Sequence, residues 1–283
     1  MATNTRTYEL LLISVIAARA TSFIFSKMIL ENMAPFNLLS VRFIIAFALL
    51  ALIFNKELRT LGKRDLLAGI AVGTAFFITM ACEMTALTQA ASSLVSLLEN
   101  CAIIFVPLLE IVLYKKLPGK LTVISTAAAM LGVVLLALGQ GSLTGGFGWG
   151  LMSGLCYAAA IIITQKLSQN SSSTLGIGIV QVGTMGALAC AATLLLEAPH
   201  LPTGSSEWLM LAMLIIVCTG FGFTLQPMAQ SHVTAARAGL FCAVSPAIAA
   251  LLGVTVLGEP FGLPEVLGLL LILASIALPY MKG

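Results

Sequence analysis

Charge is scarce in this chain: Asp, Glu, Lys and Arg make up 9% of 283 residues, against 59% hydrophobic residues. Soluble domains carry about 25% charged and about 45–50% apolar residues, so a water-soluble globular domain is excluded. The apolar residues run continuously for about 20 positions at a time instead of alternating in short segments, which excludes a transmembrane β-barrel and leaves an all-α membrane protein. The six cysteines, Cys82, Cys101, Cys156, Cys190, Cys218 and Cys242, stand singly, with no CxxC and no histidine partner. They read as small core residues and supply neither a disulfide framework nor a metal site. Histidine is limited to His200 and His232, and HExxH, GxSxG and paired aspartates are missing. A membrane-embedded enzyme would need a nucleophile and a base at matched depth, so the chain reads as a non-enzyme without cofactor or metal. Aromatic residues, 7% of the chain, are sparse on the candidate faces, which disfavours recognition of an aromatic cation by stacking. A net charge of +3 does not point to nucleic acid, but its distribution is informative.

Apolar runs and turn residues place ten spans near 8–30, 35–54, 65–87, 91–114, 120–139, 147–166, 175–196, 208–230, 235–257 and 263–281. Arg6 and the Ala18-Arg19-Ala20 tripeptide give the first run a passing likeness to a signal peptide. A charge inside the would-be apolar core argues against cleavage, so this run counts as span 1. Lys56, Arg59, Lys63 and Arg64 fill the loop after span 2, Lys115, Lys116 and Lys120 the loop after span 4, and Lys166 opens the loop after span 6. Loops of the other parity carry Glu31, Glu197, Glu207, Glu259 and Glu265. The positive-inside rule then puts both termini in the cytoplasm of a cell whose inner membrane holds the protein.

Charge also appears where it is costly. Arg19, Lys27, Arg42, Glu83, Glu99 and Glu110 fall inside apolar stretches, and a charge at bilayer depth costs several kcal/mol unless paired or hydrated. In span 4, Ser92, Ser96, Glu99 and Ile103 recur at helical spacing with Glu110 on the same stripe. Pro107 between the two acids frees a backbone carbonyl, which a membrane tolerates beside water or a neighbouring helix. Glu110 has a second reading, snorkelling toward Lys115 and the headgroups. Span 1 aligns Arg19, Ser22 and Ser26, and depth matching makes Arg19 and Glu99 a candidate pair, either a structural clamp or a switch opened by substrate or a proton. Lys27, Arg42 and Glu83 approach the outer side as a candidate network, with the structural reading favoured for Arg42. In span 8, Thr219, Gly222, Gln226 and Gln230 share a face, and Gln226 precedes Pro227; it reads either as a ligand or as interhelical glue. The residues expected to bind substrate or couple its movement are Arg19, Ser22, Glu83, Ser96, Glu99, Thr219 and Gln226. Gly69-x-x-x-Gly73 and Gly150-x-x-x-Gly154 are faces for close helix packing.

A weak duplication runs through the chain. An offset of 139 lays Ser22–Lys27 on Ile161–Lys166 and Val41-Arg42-Phe43 on Val180-Gln181-Val182, and an offset of 143 matches Leu97 with Leu240 and Leu108-Leu109 with Leu251-Leu252. A unit with an odd number of spans, repeated in tandem, enters the membrane from opposite sides. Two inverted five-helix repeats follow, 1–139 and 146–283, joined at the glycine-rich segment 139–146. That architecture seats substrate near the midplane and moves one half against the other.

Pro35-Phe36, Val41-Arg42-Phe43, Ala86-Leu87, Ala90-Ala-Ser-Ser93, Val244-Ser-Pro246 and Leu257-Gly-Glu-Pro260 together resemble the EamA family of the drug/metabolite transporter superfamily over the whole length. The first half departs from that pattern at Ala102-Ile103, where Ser-Pro is usual, and at Lys115-Lys116, where Gly-Glu is expected. The resemblance implies a secondary carrier of a small-molecule substrate, often an exporter of amino acids or amphiphilic compounds. It also implies a central cavity among spans 1, 3, 4, 6, 8 and 9, with spans 5 and 10 peripheral. Opposite charges at matched depth suit a zwitterion and leave proton coupling through a buried glutamate open. Import or facilitated passage of a nucleoside or cationic drug is the alternative. A channel would require a more continuous hydrophilic ring. Cysteines placed at Gly204 and Gly262 should react with impermeant thiol reagent from outside, and Lys63→Cys should not; external labelling at 63 would reverse the orientation.

Overall fold

The structure, a computed structural model, describes residues 5–115, 119–139, 145–169, 171–242, 244–258 and 262–278. In a bilayer each backbone N–H and C=O must find its partner within the protein, so the apolar runs become helices. In chain order these are α1 (Thr5–Ala20), α2 (Ser22–Ile29), α3 (Pro35–Ile53), α4 (Asn55–Arg59), α5 (Lys63–Gln89), α6 (Ser92–Glu99), α7 (Ala102–Tyr114), α8 (Lys120–Gly139), α9 (Gly145–Ser168), α10 (Thr174–Leu196) and α11 (Ser205–Met213). A π-helical segment, Leu214–Phe223, leads into α12 (Thr224–Gln230), followed by α13 (Ala235–Phe241), α14 (Val244–Leu257) and α15 (Leu263–Ala277). Pro35 opens α3 at a position where its missing N–H leaves no bond unmade, after an extended Ala34.

Among the described residues, eight helical stretches are long and apolar enough to cross a membrane. Where the fifth and tenth spans are expected, the apolar segments are shorter, Val123–Gly132 within α8 and Val266–Ser275 within α15. At 1.5 Å per residue the 15 described residues of α15 cover about 22 Å, and residues 279–283 lie outside the described ones. Most of the expected joint at 139–146 lies outside the described residues, as do Lys116 and the Glu259-Pro260 end of the last motif.

Four of the expected spans are not continuous α-helices. Span 1 is divided at Thr21 between α1 and α2, span 4 at Asn100-Cys101 between α6 and α7, and span 9 between α13 and α14, while span 8 is π-helical through its middle. The single polar stripe expected from Ser92 to Glu110 is therefore interrupted directly after Glu99. α3 packs on α10, α5 on α9, α6 on α14, α8 on α15 and α1 on the π segment. The outward faces carry exposed side chains such as Leu52, Ile53, Leu195 and Ile216, as lipid contact demands. Trp149 and Trp208, both partly exposed near helix starts, suit the headgroup level.

Loop ties between distant parts of the chain fix the bundle at both ends. Glu197 accepts hydrogen bonds from the backbone N–H groups of Phe36 (3.0 Å) and Asn37 (2.7 Å), capping the first turn of α3 from 160 residues away, and Asn37 Nδ2 donates to the His200 carbonyl at 2.9 Å. Asn32 Nδ2 donates to Glu207 at 2.9 Å. At the opposite end Asp65 accepts from the Ser172 hydroxyl and the Ser173 N–H, and Glu57 accepts from the Ser173 hydroxyl. Arg237 pairs with Glu9 at 2.7 Å, beside a Tyr8–His232 ring stack at 3.9 Å. A carboxylate at a helix N-terminus satisfies orphan donors and meets the positive end of the helix dipole. Glu197→Ala should therefore lower stability by about 1 kcal/mol, read as a lower unfolding temperature in detergent micelles, with Glu197→Gln losing less.

Candidate substrate and coupling site

The helix breaks surround a small central cavity. Arg19 and Ser22 flank the break in span 1, Glu99 and Asn100 sit at the break in span 4, and Ser245 lies just past the break in span 9. Glu83 from α5, Tyr157 from α9, Ile16 and Phe23 complete the lining. The enclosed space is about 10 Å³, room for about one water. The site is occluded, and a solute of amino-acid size enters only if helices move apart.

Arg19 is 8% exposed and Arg42 is fully buried, and neither touches a carboxylate. Among the described residues the one ion pair is Arg237–Glu9. Arg19 Nη1 instead donates to Gln226 Oε1 at 2.8 Å and to the Tyr157 hydroxyl at 2.9 Å. Arg42 Nε donates to Thr219 Oγ1 at 2.8 Å. Both guanidiniums lie against aromatic rings. Arg19 Cζ is 4.2 Å from the Phe223 centroid, 5.0 Å from Tyr157 and 5.3 Å from Phe76; Arg42 Cζ is 5.0 Å from Phe43 and 5.7 Å from Phe223. Phe43 and Phe76 meet Phe223 edge-on. Ring faces are electron-rich, so this cage stabilises the cations without neutralising them.

The π-helical stretch makes the cage possible. It carries Cys218, Thr219, Gly222 and Phe223 on its buried side, and its wider turn closes with the Thr224 hydroxyl donating to the Thr219 carbonyl at 3.2 Å. Gly222 is required there because a Cβ would stand 2.7 Å from Arg19 Cγ. Opposite the arginines, the carboxyl groups of Glu83 and Glu99 are within hydrogen-bonding reach of each other. Ser153 Oγ donates to Glu99 Oε2 at 2.9 Å, while Glu83 Oε1 is buried with no donor group on it. A bond between two carboxyl groups requires a proton on one of them. Arg19 lies in the field of both acids and Arg42 in that of Glu83, without direct contact.

Of the residues expected from the sequence, Arg19, Ser22, Glu83 and Glu99 line the cavity, and Gln226 and Thr219 anchor the two arginines. Ser96 is buried one turn before Glu99, its hydroxyl unpartnered and its carbonyl accepting from Asn100 Nδ2 at 2.7 Å. The expected Arg19–Glu99 pair is not formed as a contact: Arg19 Nη1 is turned to Gln226 and Tyr157, and Glu99 acts on it only through space. Of the expected outer group, Lys27 donates to the carbonyls of Leu87 and Ala90 at the end of α5, while Arg42 bonds Thr219 and lies in the field of Glu83. Glu110 is half-buried, away from the cavity lining. The glycine faces pack closely as expected, Gly69 and Gly73 on Val180 and Gln181, Gly150 and Gly154 on Leu98 and Glu99. Sequence reasoning passed over Tyr157, Asn100, Ser153 and Ser245 as site residues. Ser245 stood in a quoted motif and Ser153 inside a glycine face, so their positions were visible but their roles were not.

The sequence profile of the EamA-like transporter family matches residues 6–138 and again 144–281. An uncharacterized transporter of Archaeoglobus fulgidus is 26% identical over 245 residues, 86% of this chain and 87% of that protein. A crystal structure of another protein superposes with a TM-score of 0.72 over 100% of this chain and 98% of its own, at 16% identity, a likeness of fold.

Gly222→Ala should press on Arg19 and lower stability by about 1–3 kcal/mol. Gly148→Ala, where an added Cβ meets nothing within 4 Å, should leave the unfolding temperature unchanged.

Proposed function

Because this chain belongs to the EamA-like transporter family, we propose that it exports amino acids or related amphiphilic metabolites by alternating access about the occluded cavity. The observation that carries this reading is the crossed anchoring of the arginines. Arg19 and Arg42, from the first half, are held by Gln226, Tyr157 and Thr219, from the second. A relative movement of the halves must break or remake those bonds, so the groups that would meet the substrate are also those that join the moving parts. An amino acid offers a carboxylate to the guanidiniums and an ammonium to the Glu83–Glu99 pair. A cationic drug fits less well beside two buried arginines. The enclosed cavity also argues against a continuously open channel.

The two-repeat organisation, 1–139 and 146–283 in inverted orientation, belongs to this proposal, as does an inner-membrane location with both termini cytoplasmic. The packing pairs support it. Spans 2 with 7, 4 with 9 and 5 with 10 map onto themselves when five spans are added, and 3 with 6 maps onto 8 with 1. Proton coupling enters through the carboxyl pair: one proton between Glu83 and Glu99 gives the site a charge that an arriving ammonium can replace.

Counterflow in proteoliposomes across amino acids, nucleosides and quaternary amines tests the substrate. Amino-acid flux is expected; robust flux of another class without it would refute the substrate class and leave the fold intact. Glu99→Gln should keep folded protein, since the amide oxygen can still accept from Ser153, while abolishing flux driven by an imposed pH gradient. Unchanged pH-driven flux would remove Glu99 from the coupling.

A further inference from the structure

Arg42 is the most fully buried charge in the structure and the least satisfied. Its side chain is 0% exposed, and its Nε is tied to Thr219, but neither Nη1 nor Nη2 has a hydrogen-bond partner. Arg19 differs, since its Nη1 holds two acceptors. A guanidinium presents a planar fork of donors that matches a carboxylate two-to-two. Arg42 keeps the terminal edge of that fork unspent, while the Thr219 bond at one end and the Phe43 and Phe223 rings restrain its plane. Among the described residues no carboxylate lies within ion-pair distance to neutralise it, and the acid whose field it feels, Glu83, interacts with Glu99. A permanent structural clamp would have its donors filled, because a buried cation left open is costly. A binding group held ready for an anion would be left open.

We propose that Arg42 is the carboxylate-docking group of the transport site, and that the substrate class is defined by a free carboxylate seated on Nη1 and Nη2. The inference rests on the transport reading above and narrows it. Arg19, whose Nη1 is held by Gln226 and Tyr157 while its Nε has no partner, acts beside it as a positioning residue against the Phe223 ring. The substrate carboxylate completes the guanidinium whose Nε already ties α3 to the π segment through Thr219. Loading of the site is then felt directly at the contact between the two halves.

The test is counterflow in proteoliposomes with matched probes: L-alanine against L-alaninamide, and propionate against propanol-sized neutral amide, propionamide. Each carboxylate member should move and its amide should not, and Arg42→Lys, which keeps charge but loses the fork, should raise KM for the carboxylates about tenfold. Arg42→Met should abolish the preference for carboxylates while leaving the unfolding temperature unchanged or higher, because it removes an unpaired buried cation. Amide probes moved as well as acids, a KM unaltered in Arg42→Lys, or an Arg42→Met protein that unfolds at lower temperature would each overturn the proposal. Movement of propionate but not L-alanine, with the same dependence on Arg42, would refute the amino-acid reading and uphold the carboxylate site. Movement of neither acid would overturn both.

Discussion

Two guanidiniums buried in a membrane protein, with no carboxylate in contact, constrain everything around them. Each cation would cost several kcal/mol in hydrocarbon, and the protein meets that demand with hydroxyls, an amide and ring faces instead of ion pairs. The acceptors come from the second half of the chain and the cations from the first. The cluster therefore binds the halves while leaving both arginines charged. Neutral acceptors give a weaker hold than a buried ion pair, which suits the movement of the halves proposed above.

The backbone irregularities follow from the same demand. Helices that ran unbroken past the centre would present side chains at fixed angular steps, and the charges would be spread along lipid-facing and protein-facing sides alike. Breaks at Thr21 and Asn100 let Arg19, Ser22 and Glu99 converge. The π segment sets Thr219 and Phe223 on one side with Gly222 as a slot for Arg19. Backbone groups released at such breaks are tolerated in a membrane where they face protein or a polar cavity, and discontinuous helices are where transporters hold their ligands.

The membrane class and most spans were legible because they depend on long apolar runs, a signal that adds up over about 20 residues. Arg19, Glu83 and Glu99 could be read from the cost of charge at depth. Their partners could not: Glu99 seemed matched to Arg19 by depth, yet the rotation of span 8 delivers Gln226 to the guanidinium first. The partner of Arg42 was hidden for a related reason. Hydropathy places a residue along a span but is silent on which neighbour it faces, and Arg42 faces Thr219, 177 residues away. Tyr157 escaped notice because an aromatic residue in an apolar helix is unremarkable until a cation lies on its ring.

The bond from Arg19 to Gln226 is the central joint between the first half and the second. A double-mutant cycle on Arg19→Met and Gln226→Leu, read from unfolding in mixed micelles, measures that joint directly. A coupling energy of about 1–3 kcal/mol is expected, with the double variant more stable than Gln226→Leu alone. Additive effects, with no coupling between the two sites, would contradict the crossed anchoring on which the mechanism depends.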